Sequence, residues 1–201
     1  MPAWTVRTTS PAGLYLPEYM TTGSGGWNAA ITGNTAVAGA DVMNNCVGTS
    51  IGRLVEMHNS VSPGSITSAA TNPYNIFAAW DAQFWYGVAV GAGYSVGAAP
   101  AEGAVGVYSN SDDSLGHVVN IEEYSGGVWY ITEGHYYYPN PPGNGSWDFS
   151  SLDSNYMPQF LSGDPNWRLI GFIYPSFAPA PPGNPIYGQN RYRRRRASRF
   201  Y

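Results

Sequence analysis

Apolar positions along the chain change their period once, near residue 100. Before it, Val47, Ile51, Leu54 and Val55 recur at i, i+4, i+7 and i+8, which puts them on one helical face and predicts a helix from about Asn45 to His58. Asn44 and Asn45 suit its cap, and Ser62-Pro63-Gly64 lies just beyond its end. A second, shorter helix is expected from Asn75 to Trp85, with Ile76, Ala79, Trp80 and Phe84 turned inward. Beyond residue 100 the apolar positions alternate or form short runs. Ala104–Tyr108, His117–Tyr124, Val128–Thr132 and Arg168–Tyr174 each read as strands. Asn110–Ser114 and Ser125–Gly127 are the turns between the first three, and Pro139–Ser154 reads as a long loop. Residues 1–40 show no sustained period and read as an extended lead-in with turns at Thr22–Gly26 and Thr32–Asn34. No internal repeat is found. Helices first and antiparallel strands afterwards predict an α+β domain.

Composition sharpens this picture. The chain has 201 residues, enough to bury a proper core in one domain, and its 25 Gly and 16 Pro argue against a helical bundle. A run of roughly 18 apolar residues is lacking, so no transmembrane helix is expected. The start, MPAWTVRTTSPAG, has no basic residues leading into an apolar run, so a secretory signal is not expected either. A single Cys excludes an internal disulfide framework and a cysteine-rich zinc site.

The net charge of -4 hides a division. All nine basic residues are Arg, and six of them (Arg191, Arg193, Arg194, Arg195, Arg196, Arg199) follow Gln189. Residues 1–189 therefore set three Arg against thirteen carboxylates, a balance of -10. An acidic body excludes polyanion binding across the whole surface, whereas the tail, carried on a linker with Pro179, Pro181, Pro182 and Pro185, retains that capacity. Without basic residues and stacking aromatics together in the body, the protein is not read as a nucleic-acid binder.

The one thiol, Cys46, sits at the expected helix start, where the helix dipole and free N–H groups lower a thiol pKa and where the same N–H groups can hold an oxyanion. Taken alone, Cys46 reads most simply as a small buried residue. A thiol nucleophile needs a base, and three His are available. His58 lies three turns from Cys46 and reads as a solvated helix-end residue. His117 opens an otherwise apolar strand, directly after Gly116. His135 follows Glu133 and Gly134 at the end of the next strand. The short turn between these strands makes them a hairpin, and its length decides which side chains meet. A three-residue loop, Ser125–Gly127, sets Tyr124 opposite Val128, Val119 opposite Glu133 and His117 opposite His135. Glu133 is then a diagonal, same-face neighbour of His117, roughly 7–8 Å away between backbones. A two-residue loop sends Glu133 to the other face. A Cys46–His117–Glu133 constellation thus requires an odd loop or a bulge.

Five segments in order now resemble one family. They are Asn44-Asn45-Cys46-Val47-Gly48 with Gly52-Arg53 and Glu56; Pro100-Ala101-Glu102-Gly103-Ala104-Val105; Gly116-His117-Val118-Val119 with Glu122 and Glu123 behind it; Thr132-Glu133-Gly134; and Leu169-Ile170-Gly171-Phe172-Ile173-Tyr174-Pro175. Their order and spacing resemble the phage-type members of the CHAP family, the cysteine- and histidine-dependent amidohydrolases/peptidases, over about residues 40–176. The resemblance implies a papain-like α+β fold, with a nucleophile helix packed on an antiparallel sheet. It divides the chain into a lead-in (1–40), a CHAP catalytic domain (41–176) and a Pro-rich linker with an Arg-rich tail (177–201). It implies Cys46 as nucleophile, His117 as base and then acid, Glu133 as the group orienting the imidazole, and an oxyanion held by helix-start N–H groups with help from Asn45. The substrate implied is bacterial peptidoglycan, cut at the muramoyl–L-alanine amide or at a peptide bond of the stem or cross-bridge.

Two features depart from the family. Where many members carry Asn or another polar residue shortly after the acidic one, His135 stands here, either polarising the site or decorating its rim. The Asp run that binds calcium in some members is reduced to Asp41, so neither a metal nor any cofactor is expected; Asp112-Asp113 read as solvated turn residues. Trp85 and Tyr86 are open between lining a substrate groove and packing in the core, while Trp80 reads as core. At least one ring of Tyr136-Tyr137-Tyr138 must face outward. The Arg-rich tail has three candidate partners: anionic wall polymers, an acidic virion protein, and packaged nucleic acid. The expected setting is a phage lysin, either an endolysin released from the host cytoplasm or an enzyme carried on the virion tail. The tail and the lack of a separate wall-binding domain lean toward the latter. The competing readings are a structural virion protein keeping the fold without activity, and a bacterial amidase of the related NlpC type.

Overall fold

The computed structural model describes residues 2–11, 14, 16–30, 45–112, 115–135 and 146–178. The expectations for Thr32–Asn34, Asp41, Asn44, Asp113, Tyr136-Tyr137-Tyr138 and the Arg-rich tail lie outside these residues.

The first expected helix is present. Helix α1 runs Cys46–Val61, and Asn45 is its cap, with the side-chain oxygen accepting from the N–H groups of Val47 and Gly48. Val47, Ile51, Leu54 and Val55 are all buried, as their spacing predicts. The second expected helix is corrected. Its segment forms 3-10 turns at Pro73–Phe77 and Ala82–Phe84, followed by a helix α2 at Trp85–Gly91. A 3-10 turn repeats every three residues, so Tyr74 and Phe77 point inward, followed by Ala78, Ala82 and Trp85. The four residues expected inside face out instead: Ile76 is 41% exposed, Trp80 50%, Phe84 49%, and Ala79 is exposed too.

Among the described residues, six strands form one antiparallel sheet: β1 Ser95–Gly97, β2 Val105–Asn110, β3 His117–Ser125, β4 Val128–His135, β5 Ser146–Ser151 and β6 Trp167–Tyr174. Their order is β1-β6-β2-β3-β4-β5. Four match expected strands to within a few residues at each end. β1 is additional, and β5 replaces part of the expected loop 139–154. With the two α-helices found among the described residues, the protein is an α+β fold, the class expected. Among the described residues, no helix is long and apolar enough to cross a membrane.

Both faces of the sheet are covered, which is why the central strands read as near-continuous apolar runs. On one face, Val105, Val107, Val118 and Ile173 pack with Val47, Ile51, Leu54 and Val55 of α1 and with Phe77 and Trp85. On the other, Val119, Ile121, Ile131 and Phe172 pack with Leu152 and Leu161 from the β5–β6 connection. Trp85 therefore belongs to the core, stacked on Phe77 at 4.6 Å.

Helix α1 lies alongside β3 in a defined register. Ser50 Oγ donates to Asn120 Oδ1 at 2.8 Å. Three residues on, Arg53 clasps Glu122 with two bonds, Nε–Oε1 at 2.7 Å and Nη2–Oε2 at 2.6 Å. Thr132 Oγ1 adds a third donor to Glu122 at 2.7 Å. Glu122 is fully buried, and these donors satisfy both of its carboxylate oxygens. Arg53 also holds Glu56, which Arg7 and Tyr19 contact from the N-terminal segment. Burial opposes the charge on Arg53, yet its bond to and charge attraction from Glu122 keep the guanidinium pKa above its usual value. These two pairs act as a ruler that sets the start of α1 beside the start of β3.

Candidate active site

Residue by residue, the hairpin β3–β4 assembles the site. Its turn is not the expected three-residue loop: Ser125 pairs with Val128, so only Gly126 and Gly127 lie between, both at positive φ as a tight hairpin turn requires. That turn alone sends Glu133 to the wrong face. The register shifts between Ile121 and Glu123, leaving Glu122 as an extra residue, so that Ile121 faces Ile131 and Asn120 faces Thr132. The bulge restores the register the constellation requires. Continued along the strands, it sets Val119 opposite Glu133 and His117 opposite His135. The bulged residue is the same Glu122 that Arg53 clasps, so one irregularity anchors the helix and aligns the site.

Gly116 delivers His117. It adopts φ +70°, and a Cβ there would sit 2.6 Å from the Tyr108 carbonyl oxygen and 2.7 Å from Gln83 backbone nitrogen, which excludes other residues. Tyr108 pairs with His117 across β2–β3. Buried His117 bonds through Nε2 to Glu133 Oε2 at 2.9 Å. Ser150 Oγ on β5 holds the other carboxylate oxygen at 2.7 Å. A carboxylate only accepts, so Nε2 carries the proton and Nδ1 is left for the Cys46 thiol, to which His117 is also hydrogen-bonded. Burial alone would lower the His117 pKa, but the bonds to Cys46 and Glu133 and their negative charges raise it to about 9. The ring is thus a cation at neutral pH, flanked by sulfur and carboxylate. Cys46 is half-buried and packs against the α1 core.

The cap constrains the oxyanion site. The N–H groups of Val47 and Gly48 are taken by Asn45 Oδ1, so the N–H of Cys46 itself is the first-turn donor left beside the sulfur. His135 stacks on His117, with centroids 5.6 Å apart and planes 11° from parallel. Its Nε2 lies 3.1 Å from Asp148 Oδ2 and 3.8 Å from Glu133 Oε1. Burial lowers the His135 pKa, and the neighbouring His117 charge lowers it further against the pull of Glu133 and Asp148. Of the two imidazoles, His117 therefore takes the proton. Phe160 meets both rings edge-on, at 5.2 Å and 4.3 Å.

Neither the family models, the curated proteins nor the solved structures yield a match to this chain.

All five residues singled out in the sequence belong to this region: Cys46 and Asn45 at the start of α1, and His117, Glu133 and His135 on the hairpin. Sequence reasoning missed Ser150, Asp148 and Phe160. Ser150 and Asp148 alternate along β5, so recognising Ser146–Ser151 as a strand beside β4 would have exposed them. His58 is corrected: it is half-buried and its Nδ1 bonds to Tyr74 Oη at 2.7 Å. A cleft of about 570 Å³ is lined by Arg7, Glu18, Arg53, Glu56 and Asn59. It lies along the C-terminal half of α1 and not at the thiol, which Asn59 trails by thirteen residues, roughly 20 Å.

Proposed function

We propose that this chain is a peptidoglycan hydrolase of papain-like CHAP architecture, using Cys46 as nucleophile to cut an amide bond of the bacterial cell wall. The observation that carries the reading is a thiol at a helix N-terminus, hydrogen-bonded to a buried imidazole that a buried carboxylate holds from behind. Those are the parts that thiol acyl transfer needs. The choice of peptidoglycan as substrate rests on the five-segment resemblance.

In the proposed reaction, Cys46 Sγ, its proton already held on His117 Nδ1, attacks the amide carbonyl. The N–H of Cys46 stabilises the oxyanion, with Asn45 Nδ2 as the second donor. The C–N bond then breaks as His117 returns the proton to the leaving amine. Water, deprotonated by the same imidazole, hydrolyses the thioester and frees the enzyme. Glu133 keeps the proton on Nε2 throughout, and Ser150 keeps Glu133 in place. The setting proposed is a phage lysin, endolysin or virion-borne, with the Arg-rich tail as its second contact surface.

Purified cell walls treated with wild type and Cys46→Ala in parallel test this. Wild type should lower turbidity and release muropeptides, and the variant should be slower by at least about a thousandfold. The new chain end distinguishes the muramoyl–L-alanine amide from a peptide bond. If walls from several bacterial types release nothing, and Cys46 reacts with iodoacetamide no faster than free cysteine near neutral pH, the hydrolase reading is wrong. The structural virion protein then replaces it.

A further inference from the structure

The mechanism above uses one edge of the His117 ring for chemistry and the other for orientation. On that second edge the protein gathers more ligating atoms than orientation requires. His117, Glu133 and His135 are all buried, and each offers a ligand atom within 4.8 Å of the other two. Two of the three pairs bracket the spacing found around a bound ion. His117 Nε2 lies 2.9 Å from Glu133 Oε2, and His135 Nε2 lies 3.8 Å from Glu133 Oε1. Four-coordinate zinc with nitrogen and oxygen ligands at about 2.0–2.2 Å sets neighbouring ligand atoms roughly 3.3 Å apart, a value lying between these two. Hydrogen-bonded pairs contract and open by such amounts through small side-chain rotations.

Supporting contacts point the same way. Ser150 Oγ fixes the Glu133 carboxylate from the far strand at 2.7 Å, the kind of outer contact that aims a ligating carboxylate. Phe160 packs against both imidazoles with its ring near perpendicular to theirs. Asp148 lies 3.1 Å from His135 Nε2 and its side chain is 51% exposed, so it links the buried cluster to solvent as an entry path and a candidate fourth ligand. Two imidazoles with a carboxylate match zinc, whereas calcium and magnesium favour oxygen alone.

We propose that His117, Glu133 and His135 form a binding site for Zn2+, and that the bound ion switches off the chemistry of Cys46. The first half stands on geometry alone; the second rests on the hydrolase reading. The consequence follows from the two nitrogens of one ring. Zinc on Nε2 displaces the proton held there, which leaves to solvent. The ring keeps a single N–H, on Nδ1, as a neutral metal-bound imidazole, and giving that proton to the leaving amine would leave an imidazolate. The general acid is lost, although Cys46 itself is not a ligand.

The test uses the tag-free, reduced full chain, stripped with chelator and titrated with ZnCl2 against a competing zinc indicator. One ion should bind per chain. Long-range 1H–15N spectra of the wild type should show Nε2 of both His117 and His135 shifting on zinc addition, with His58 unmoved. Cys46→Ser should bind zinc as wild type does, while His135→Asn should lose roughly tenfold or more in affinity. Wall hydrolysis by wild type should fall in step with zinc occupancy and recover with chelator. Absence of binding, shifts at His58 alone, or binding that requires Cys46 overturns the site. Zinc binding at the cluster by a protein that never cleaves walls upholds the site and rejects the hydrolase. Cleavage insensitive to zinc at full occupancy upholds the hydrolase and rejects the switch.

Discussion

Replacing Glu133 by Gln isolates the charge behind the imidazole from its shape. The amide oxygen can still accept from His117 Nε2, while the amide nitrogen takes the place of the other oxygen and donates to Ser150 Oγ, and the site is buried, so packing is preserved. What disappears is the negative charge. A hydrogen bond involving a charged group contributes about 1.5–3 kcal/mol and a neutral one about 0.5–1.5. The imidazolium thus loses about 1–1.5 kcal/mol of stabilisation, equivalent to about one pH unit. In the wild type, burial pulls the His117 pKa down while Cys46 and Glu133 raise it to about 9. The cationic ring is therefore present below that pH and lost above it. In Glu133→Gln the same loss should come about one unit lower. The assay is a titration of the histidine Cε1–H resonances by 1H–13C correlation spectra, with His117 assigned through His58→Gln and His135→Asn. It needs no substrate. If the chain hydrolyses walls, the alkaline limb of its pH–rate profile should shift by the same amount in the same direction. A His117 midpoint in the variant equal to or above that of wild type refutes the reasoning.

Three further predictions follow from the same contacts. Arg53→Met leaves Glu122 buried with only Thr132 and a long bond from Arg7 N–H, and should cost about 3–5 kcal/mol in urea unfolding, enough to detach the start of α1 from β3. Asn45→Asp keeps the cap acceptor but removes the amide donor and adds charge beside the sulfur; stability should hold within about 0.5 kcal/mol while wall hydrolysis falls about a hundredfold or more, whereas Asn45→Ala should lower both. Because His117 has a folded pKa of about 9, above its ordinary 6.5, its stabilising contribution is complete below about pH 6.5 and disappears as pH rises through 9. Urea midpoints at about pH 7 and about pH 10 should therefore converge between wild type and His117→Asn, with up to about 3 kcal/mol at stake.

Local pattern made a good part of this molecule legible. The four buried positions of α1 and its Asn45 cap follow from helical spacing and from the need to satisfy the first N–H groups. The central strands follow from apolar runs bounded by Gly and by turn residues. Cys46 and His117 stood out because each is a reactive group at the first position of its element. The segment 73–91 was misread because a 3-10 turn and an α-helix differ by a fraction of a residue per turn, and over a dozen residues the apolar positions fit both. Strand β5 was missed because Ser146-Trp147-Asp148-Phe149-Ser150-Ser151 follows a Pro/Gly-rich segment and carries polar groups on the positions that serve the site.

Sequence by itself therefore determined which groups were available: one thiol, three imidazoles, a capped helix to present the first, and two strands to present the others. It also determined the α+β class, since the order of helical and alternating periods is a property of the chain. Only the tertiary structure decided which groups meet. Strand register has a period of two, so one residue more or less in the 125–128 turn moves Glu133 across the sheet. The two-glycine turn taken alone moves it the wrong way. The bulge at Glu122 moves it back, and that bulge is held by Arg53, sixty-nine residues earlier in the chain. No local pattern in the hairpin encodes that correction, because the energy that holds it comes from a buried ion pair between a helix and a strand.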